Sequence, residues 1–337
     1  MTIKEQVLLI LEENKGVPVS GEELAKRLGC SRTGVWKAIK ALTDEGYEVE
    51  AVNKKGYTLK ISGDVISKAF IVDMVRAAGV DIEIEVKHSV DSTNNVLKGY
   101  ANSGFTGDIV LLAEEQTAGR GRMGRSFLSP DGTGIYMSFL LHPSVPISEA
   151  SGLTTLAVTA EAKAIEKVTG ENVDIKWVND VWMRGKKVSG ILTEGSASME
   201  DGSTEYVVVG IGFNIYEPNG GFAPEIRDVA GAIISDGVRR ENLKNKIAAE
   251  FIVEFMNYYK DFPKRTYIDE YRKRCFVIGR DVEIVGSDHE PLNMAEKDAP
   301  DRTHAYVTGV DDACHLLVRY PDGTEGMLSS GEISIRL

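Results

Sequence analysis

Gln116-Thr-Ala-Gly119-Arg120-Gly121-Arg122-Met123-Gly124-Arg125-Ser126-Phe127 follows the apolar run Ile109-Val-Leu-Leu-Ala113, and this pairing of strand and loop organises the reading of the chain. Three glycines and three arginines fall within residues 119–125. Glycine has no Cβ, so its backbone can take positive φ and come close to a ligand. Arginine carries a permanent cation in a planar fork of donors that matches phosphate or carboxylate oxygens. A strand that runs into such a loop can close over something small and anionic. A solvated basic turn is the plainer alternative, and the choice depends on what lies downstream.

Four more segments supply chemistry. Ser92-Thr93-Asn94 starts a predicted helix and offers hydroxyl and amide groups that donate and accept. Lys176-Trp177-Val178-Asn179-Asp180 ends a predicted strand with a cation, an amide and a carboxylate. Lys187-Val-Ser-Gly190-Ile-Leu-Thr-Glu194 enters an apolar strand from a lysine, and Gly210-Ile-Gly212-Phe-Asn214 closes another with two glycines and an asparagine. Each has a bland reading as well: a helix start, a plain turn, a solvated strand end, ordinary glycines. Jointly they bring at least three cations, one carboxylate and several amides, mostly to strand termini. Mixed sheets place ligand sites there.

The elements around these segments alternate. Strands are predicted at 82–86, 109–113, 134–141, 174–177, 190–194 and 206–212, with helices from about Ser92 and over 148–168, 241–262 and 267–275. Apolar strands with intervening helices imply a mixed sheet covered by helices. After Phe276 come short strands and Gly/Asp turns (Val307-Thr-Gly, Pro321-Asp-Gly, Ser330-Gly-Glu), the pattern of a small SH3-like β-barrel. The expected fold is α+β and multidomain, with units at 1–62, 63–275 and 276–337 and the first boundary near Ile61-Ser-Gly63-Asp64.

The first unit reads as a winged helix-turn-helix. Ile3, Val7, Leu8 and Leu11 mark one amphipathic helix. Ser20 followed by Glu22 and Glu23 is an N-cap pattern, with Leu24, Ala25 and Leu28 on one face. Gly29-Cys30 makes a short turn, and Ser31 can cap a third helix whose Val35, Ile39 and Leu42 face inward. Its outward side carries Arg32, Thr33, Trp36, Lys37 and Lys40, and a hairpin tipped by Lys54 and Lys55 follows as the wing. These residues, with Ser31, are the candidate DNA contacts. A small helical interaction domain with solvated charges is the alternative, and Glu45, Glu48 and Glu50 beside the wing lend it some support.

Composition bounds the rest. A chain of 337 residues, 42% hydrophobic and 27% charged, is expected to be globular with two or three domains. No apolar run is long enough to span a bilayer, and Met1-Thr-Ile-Lys-Glu-Gln6 has no apolar signal segment. Cys30, Cys275 and Cys314 are scattered and odd in number, which argues against a disulfide framework and for a reducing cytoplasm. The five histidines form no cluster with cysteine, so a zinc site is not expected. The net charge of −12 is uneven: residues 1–60 hold 10 Lys and Arg against 9 Asp and Glu, the remainder 29 against 42. DNA binding depends on a local basic face, so the total excludes nothing.

The glycine–arginine loop, the Lys-Trp-x-Asn-Asp box, the Lys-x-x-Gly-Ile-Leu strand and Gly-Ile-Gly-x-Asn, taken in order, resemble the motifs of biotin–protein ligases. With the winged helix the chain resembles the bifunctional subgroup, both ligase and biotin operon repressor, over nearly its whole length, including a C-terminal barrel ending Gly331-Glu-Ile-Ser-Ile. The resemblance implies that biotin's carboxylate attacks the α-phosphate of ATP, and that the adenylate then passes biotin to a lysine of a biotin carboxyl carrier protein. It implies that Ser92, Thr93, Asn94 and Gln116 hold the ureido ring, and that Arg120, Gly121 and Arg122 close over biotin and its adenylate. Lys187, beside Gly190, would stand between carboxylate and α-phosphate. Lys176, Asn179, Asp180 and Asn214 would serve the nucleotide, with Asp180 a candidate for organising Mg2+. Lys187, Arg122 and Lys176 are the candidate catalytic set.

This chain departs from the family pattern at Met123, where many relatives have arginine, at Phe127, where they have a tryptophan near adenine, and at Val178, where they have proline. The resemblance also implies a homodimer when adenylate is bound, formed through the sheet edge of the central domain and able to span two operator half-sites. The alternatives are a ligase whose N-terminal domain is only structural, a lipoate ligase of related fold, and a regulator that binds its ligand without catalysis.

Overall fold

The computed structural model describes residues 2–14, 17–44, 47, 49–59, 64–198, 200, 202–285, 304–329 and 331–334. Residues 61–63 of the first boundary segment, Glu45 and Glu48 therefore lie outside the described residues, whereas Asp64 is described and buried.

Three helices open the chain: α1 (Ile3–Glu13), α2 (Gly21–Leu28) and α3 (Arg32–Asp44). Ser20 caps α2 by accepting the Glu23 N–H, and Gly29 ends it at φ 60°, a left-handed position that favours glycine. Ser31 Oγ accepts from Gly34 N–H at 3.1 Å and so starts α3. Val7, Leu8, Leu11, Leu24, Val35, Ile39 and Leu42 meet in one small core. Strands β1 (Val49–Val52) and β2 (Gly56–Leu59) pair antiparallel as the predicted hairpin.

Helix α4 (Lys68–Ala77), which the sequence pattern did not reveal, buries Ile71 and Val75. Next come β3 (Glu83–Val90), α5 (Thr93–Asn102), β4 (Ile109–Gln116) and β5 (Gly134–Leu141). The helix expected from Ser148 begins as a 3-10 turn, Ile147–Ser151, and continues as α6 (Gly152–Thr169). Strands β6 (Asp174–Lys176), β7 (Asp180–Met183), β8 (Lys186–Ala197) and β9 (Thr204–Asn214) follow, then α7 (Leu243–Tyr259) and α8 (Ile268–Arg274). The seven strands form one mixed sheet in the order β3-β4-β5-β9-β8-β7-β6, parallel between β3 and β4 and antiparallel elsewhere.

Alternation along β4 explains how both faces are covered. Val110 and Leu112 join the core under α4, α6 and α7, while Ile109 and Leu111 pack against α5 through Leu97. All eight residues of β5 are buried, as expected of a strand roofed on both sides. Phe139 of β5 stacks on Phe255 of α7 at 4.2 Å between ring centroids.

The segment leaving the N-terminal unit is pinned here. Tyr47 OH donates to Ile66 O at 3.2 Å, and Ile66 N–H donates to the buried Glu114 of β4, which also pairs with Lys244 of α7. Ion pairing offsets the cost of burying both charges, so removing one partner alone is the damaging change.

Five strands finish the chain: β10 (Asp281–Val285), β11 (His304–Val310), β12 (Leu316–Arg319), β13 (Glu325–Leu328) and β14 (Glu332–Ser334). They form an antiparallel sheet in the order β13-β12-β11-β10-β14. Trp177 Nε1 donates to Cys314 O at 2.9 Å, which ties this sheet to the β6–β7 turn. No helix among the described residues is long and apolar enough to cross a membrane.

Candidate active site

The glycine–arginine stretch folds into a hydrogen-bonded lobe at the end of β4. Gly121 N–H donates to Arg125 O at 2.7 Å, Phe127 N–H to Gly119 O at 2.9 Å, and Gln116 N–H to Ser129 O at 3.1 Å. Residues Arg122–Gly124 make a 3-10 turn. The Met123 side chain is outside the described set. Beneath the lobe is a cavity of about 520 Å³. Ser92, Thr93, Asn94, Gln116, Arg120, Gly121, Arg122, Phe127, Lys176, Asn179, Asp180, Lys187, Gly190 and Asn214 all line it. The structure thus gathers every residue singled out for the biotin and nucleotide sides around one space. The lining holds Arg120, Arg122, Arg125, Lys176 and Lys187 against the carboxylates Asp180 and Glu225, so it is electropositive.

At one end stands the N-terminus of α5. Ser92 occupies the cap position, yet its side chain makes no capping bond, so the plain helix-start reading does not account for it. Thr93 donates from its N–H and its hydroxyl to Gln116 Oε1, at 2.9 and 3.1 Å. Asn94 Nδ2 donates to Glu194 Oε2 at 2.9 Å, while its Oδ1 lies 2.6 Å from Ser138 Oγ. A Cβ on Gly210 would fall 2.1 Å from that Oδ1, so the amide occupies space that only glycine leaves open.

The other end is built on β7, β8 and the preceding turn. The Lys-Trp-x-Asn-Asp box ends β6 at Lys176, one residue before the predicted end of that strand. It forms a hairpin turn from Lys176 into β7, with a cis peptide between Trp177 and Val178. Asn179 Nδ2 donates to Ile191 O at 2.7 Å, and its Oδ1 accepts from Arg122 Nη1 at 2.9 Å. Arg122 Nη2 also reaches Gly331 O at 3.3 Å.

Lys187 lies inside β8 rather than ahead of it, because the strand starts at Lys186. Its Nζ sits 2.6 Å from Asp180 Oδ1. Lys176 Nζ lies 5.5 Å over the Trp182 ring. Asn214 Nδ2 donates to Gly231 O at 3.2 Å. The Phe127 ring rests on bare backbone, since a Cβ on Gly212 would lie 2.4 Å from it.

Sequence reasoning missed Ser138, Glu194, Trp182, Gly331 as a partner of Arg122, and the rim residues Phe222, Ile226 and Val229. It also missed Glu161 of α6, which is fully buried. Burial pushes the Glu161 carboxyl up to about 8, against the smaller opposing influences of Ser189 and Lys187. Ser189 approaches it without reaching hydrogen-bond geometry, and neither side chain has a hydrogen-bond partner among the described residues.

On the N-terminal unit, Arg32, Thr33, Trp36, Lys37, Lys40, Lys54 and Lys55 are all exposed. Arg32 pairs with Glu22 at 2.5 Å, and Lys40 Nζ lies 5.9 Å over the Trp36 ring. The Ser31 hydroxyl is engaged in capping α3.

A mixed sheet bearing a glycine–arginine lobe, a lysine–aspartate pair and an amide-lined end is matched by the model of the biotin/lipoate A/B protein ligase family over residues 86–214, and residues 4–58 match an HTH domain. The chain is 36% identical to the bifunctional ligase/repressor BirA of Bacillus spizizenii over 98% of both chains, and 29% identical to that of Escherichia coli over 94% of this chain and 92% of the relative. It belongs to this family of bifunctional BirA ligase/repressors. Among solved structures, the biotin protein ligase from Aquifex aeolicus in complex with biotin and ATP is 25% identical, with a TM-score of 0.57 over 75% of this chain and 98% of that one.

Proposed function

We propose that the chain is an ATP-dependent biotin–protein ligase that also represses transcription, with biotinyl-5′-adenylate as co-repressor. The observation that carries the reading is an electropositive cavity whose lining brings Lys187, Arg122 and Lys176 together with the amides of Asn94 and Gln116. A carboxylate and a triphosphate repel one another, so the first step needs fixed positive charge. Biotin's carboxylate oxygen attacks the α-phosphorus, the bond to the β-phosphate oxygen breaks, and pyrophosphate leaves. The acceptor lysine's neutral amine then attacks the acyl carbon, and AMP departs as the amide forms.

In this reading Ser92, Thr93, Asn94 and Gln116 orient the ureido ring. Lys187 sits between carboxylate and α-phosphate, and Arg122 caps the adenylate. Lys176, Asn179, Asp180 and Asn214 serve the nucleotide, and the Phe127 ring stands on its adenine side. Positioned cations of this kind stabilise developing charge without reorganising.

No group of three or more His, Cys, Asp or Glu residues able to hold a metal occurs among the described residues. Mg2+ takes much of its shell from phosphates and water, so the lone Asp180 carboxylate fits an ion that arrives with the nucleotide. Such an ion would neutralise phosphate charge.

The same reading assigns a biotin carboxyl carrier protein as acceptor and operator DNA as the partner of α3 and the β1–β2 hairpin. Dimerisation through the central sheet edge would pair two such heads. We take residues 1–62, 63–275 and 276–337 as its domains and the last sheet as an SH3-like barrel. A reducing cytoplasm suits the three free thiols, Cys30, Cys275 and Cys314.

Fluorescence anisotropy on promoter DNA of biotin genes, with and without biotin plus MgATP, tests both activities together. Tighter binding only with both ligands is expected. If biotin transfer is intact and no DNA binding appears under either condition, the N-terminal domain is structural.

A further inference from the structure

Glu194 of β8 lies behind the cavity rather than in its lining, yet it receives donors from two different walls. Asn94 Nδ2 donates to its Oε2 at 2.9 Å. Lys98 Nζ, one turn further along α5, donates to Oε1 at 2.9 Å. Arg120 Nη1, at the root of the glycine–arginine lobe, lies 3.2 Å from the same oxygen and also donates to Asn95 Oδ1 at 3.1 Å. A residue on a central strand thus bridges the amide-lined end of the site and the loop above it.

The bridge is specific in its wiring. Asn94 is buried, and Ser138 and Gly210 fix its oxygen end, so its NH2 end must find an acceptor on the Glu194 side. Glu194 is the acceptor closest to ideal length, because the Leu192 carbonyl lies at 3.4 Å. Arg120 carries the lobe through its backbone bridge to Ser126, next to the Phe127 ring that covers Gly212. Burial alone would raise the Glu194 carboxyl, but Asn94, Lys98 and Arg120 outweigh it and hold the group below the usual range. It is therefore ionised and able to serve all three donors.

We propose that Glu194 is a positioning residue that latches the closed glycine–arginine lobe to the biotin-orienting amide of Asn94, so that ligand retention and loop closure share one carboxylate. The proposal rests on the reading of this cavity as a biotin and adenylate site. Glu194 touches neither reacting atom and acts through Arg120 and Asn94.

Two substitutions separate its two hands. Glu194→Gln keeps an oxygen that Asn94 can donate to but removes the charge that attracts Arg120. Biotin affinity measured without ATP should change less than about threefold. Dissociation of preformed biotinyl adenylate should quicken about tenfold, as expected for loss of one charge-assisted contact. Glu194→Ala removes all three contacts, the one from Asn94 included, and should weaken biotin binding about tenfold as well. In an Arg120→Ala background the extra effect of Glu194→Gln on adenylate release should vanish, because the partner is gone.

Adenylate release from Glu194→Gln at the wild-type rate would overturn the latch, and so would a full effect persisting without Arg120. The wild-type protein's own biotin-dependent adenylate formation is measured in the same series. Failure there removes the functional reading itself, and a working wild type with an indifferent Glu194 removes only the latch.

Discussion

Replacing Lys187 with alanine tests the chemistry most directly. The ammonium lies 2.6 Å from Asp180 Oδ1 and 3.2 Å from where a Cβ on Gly190 would sit, so it is held in place in the cavity wall. A cation about 4 Å from a phosphate oxygen contributes roughly 4 kcal/mol at an effective dielectric near 20. Loss of that much from the transition state corresponds to about a thousandfold in rate. The substitution also leaves Asp180 unpaired beside two incoming anions, which adds repulsion in the same direction. Both side chains are partly solvent-exposed, so the pair itself stabilises the fold by little, about 1 kcal/mol or less. Biotin-dependent pyrophosphate release should therefore fall by about three orders of magnitude while the melting temperature stays within a few degrees of wild type. Lys187→Arg retains charge in a larger, forked shape and should fall between the two. A folded Lys187→Ala variant that releases pyrophosphate within tenfold of the wild-type rate would refute the assignment.

Three further outcomes follow from particular contacts. Gly210→Ala places a methyl group on the Asn94 amide oxygen, an overpacking of about 1–3 kcal/mol, so biotin affinity by calorimetry should weaken roughly tenfold to a hundredfold; unchanged affinity would show that Asn94 does not orient the ligand. Glu161 keeps its proton in the folded chain up to about 8, whereas the unfolded chain loses it near its ordinary 4.5, so stability should decline as pH rises through that window. The slope due to this one group is at most about 1.4 kcal/mol per pH unit. Glu161→Gln should flatten that part of the profile in urea melts between pH 5 and 8, and a pH-independent offset from wild type would count against the buried acid. Lys37→Ala should weaken operator binding across sequences and lower the salt dependence by about one counterion, and an unchanged salt slope would remove Lys37 from the phosphate contacts.

The strands of the central sheet were legible because they are apolar runs broken by glycine and polar turns, and Gly134–Leu141 was read to the residue. Helix α4 was not, since Lys68-Ala-Phe-Ile-Val-Asp-Met is as good a strand as a helix until Ser67 caps it. The short β7 hid behind Asn179 and Asp180, which read equally well as an ordinary turn. Within the site, glycine, arginine and lysine announced themselves by type and spacing. Their supports did not. Ser138 is a lone serine in the apolar strand β5, Glu161 is one of several polar residues along α6, and Glu194 lies within β8 past its apolar Ile191-Leu192. A buried polar side chain needs a partner, and that requirement was the available signal. The sequence does not say which partner, because Asn94 and Glu194 are 100 residues apart and meet only when α5 lies across the sheet.

The Arg122 guanidinium joins residues made at very different times. Two of its hydrogen bonds reach Asn179 and, 209 positions along the chain, the carbonyl of Gly331. A polypeptide emerging from the ribosome folds from its N-terminal end. The DNA-reading head and the central sheet can therefore form while the last strand is still unmade. Until Gly331 arrives, Arg122 lacks its contact with that carbonyl, and a nascent or truncated chain should hold the lobe over the cavity less firmly than the finished one. On the proposed function, completion of synthesis would then be a condition for keeping a reactive acyl group out of water.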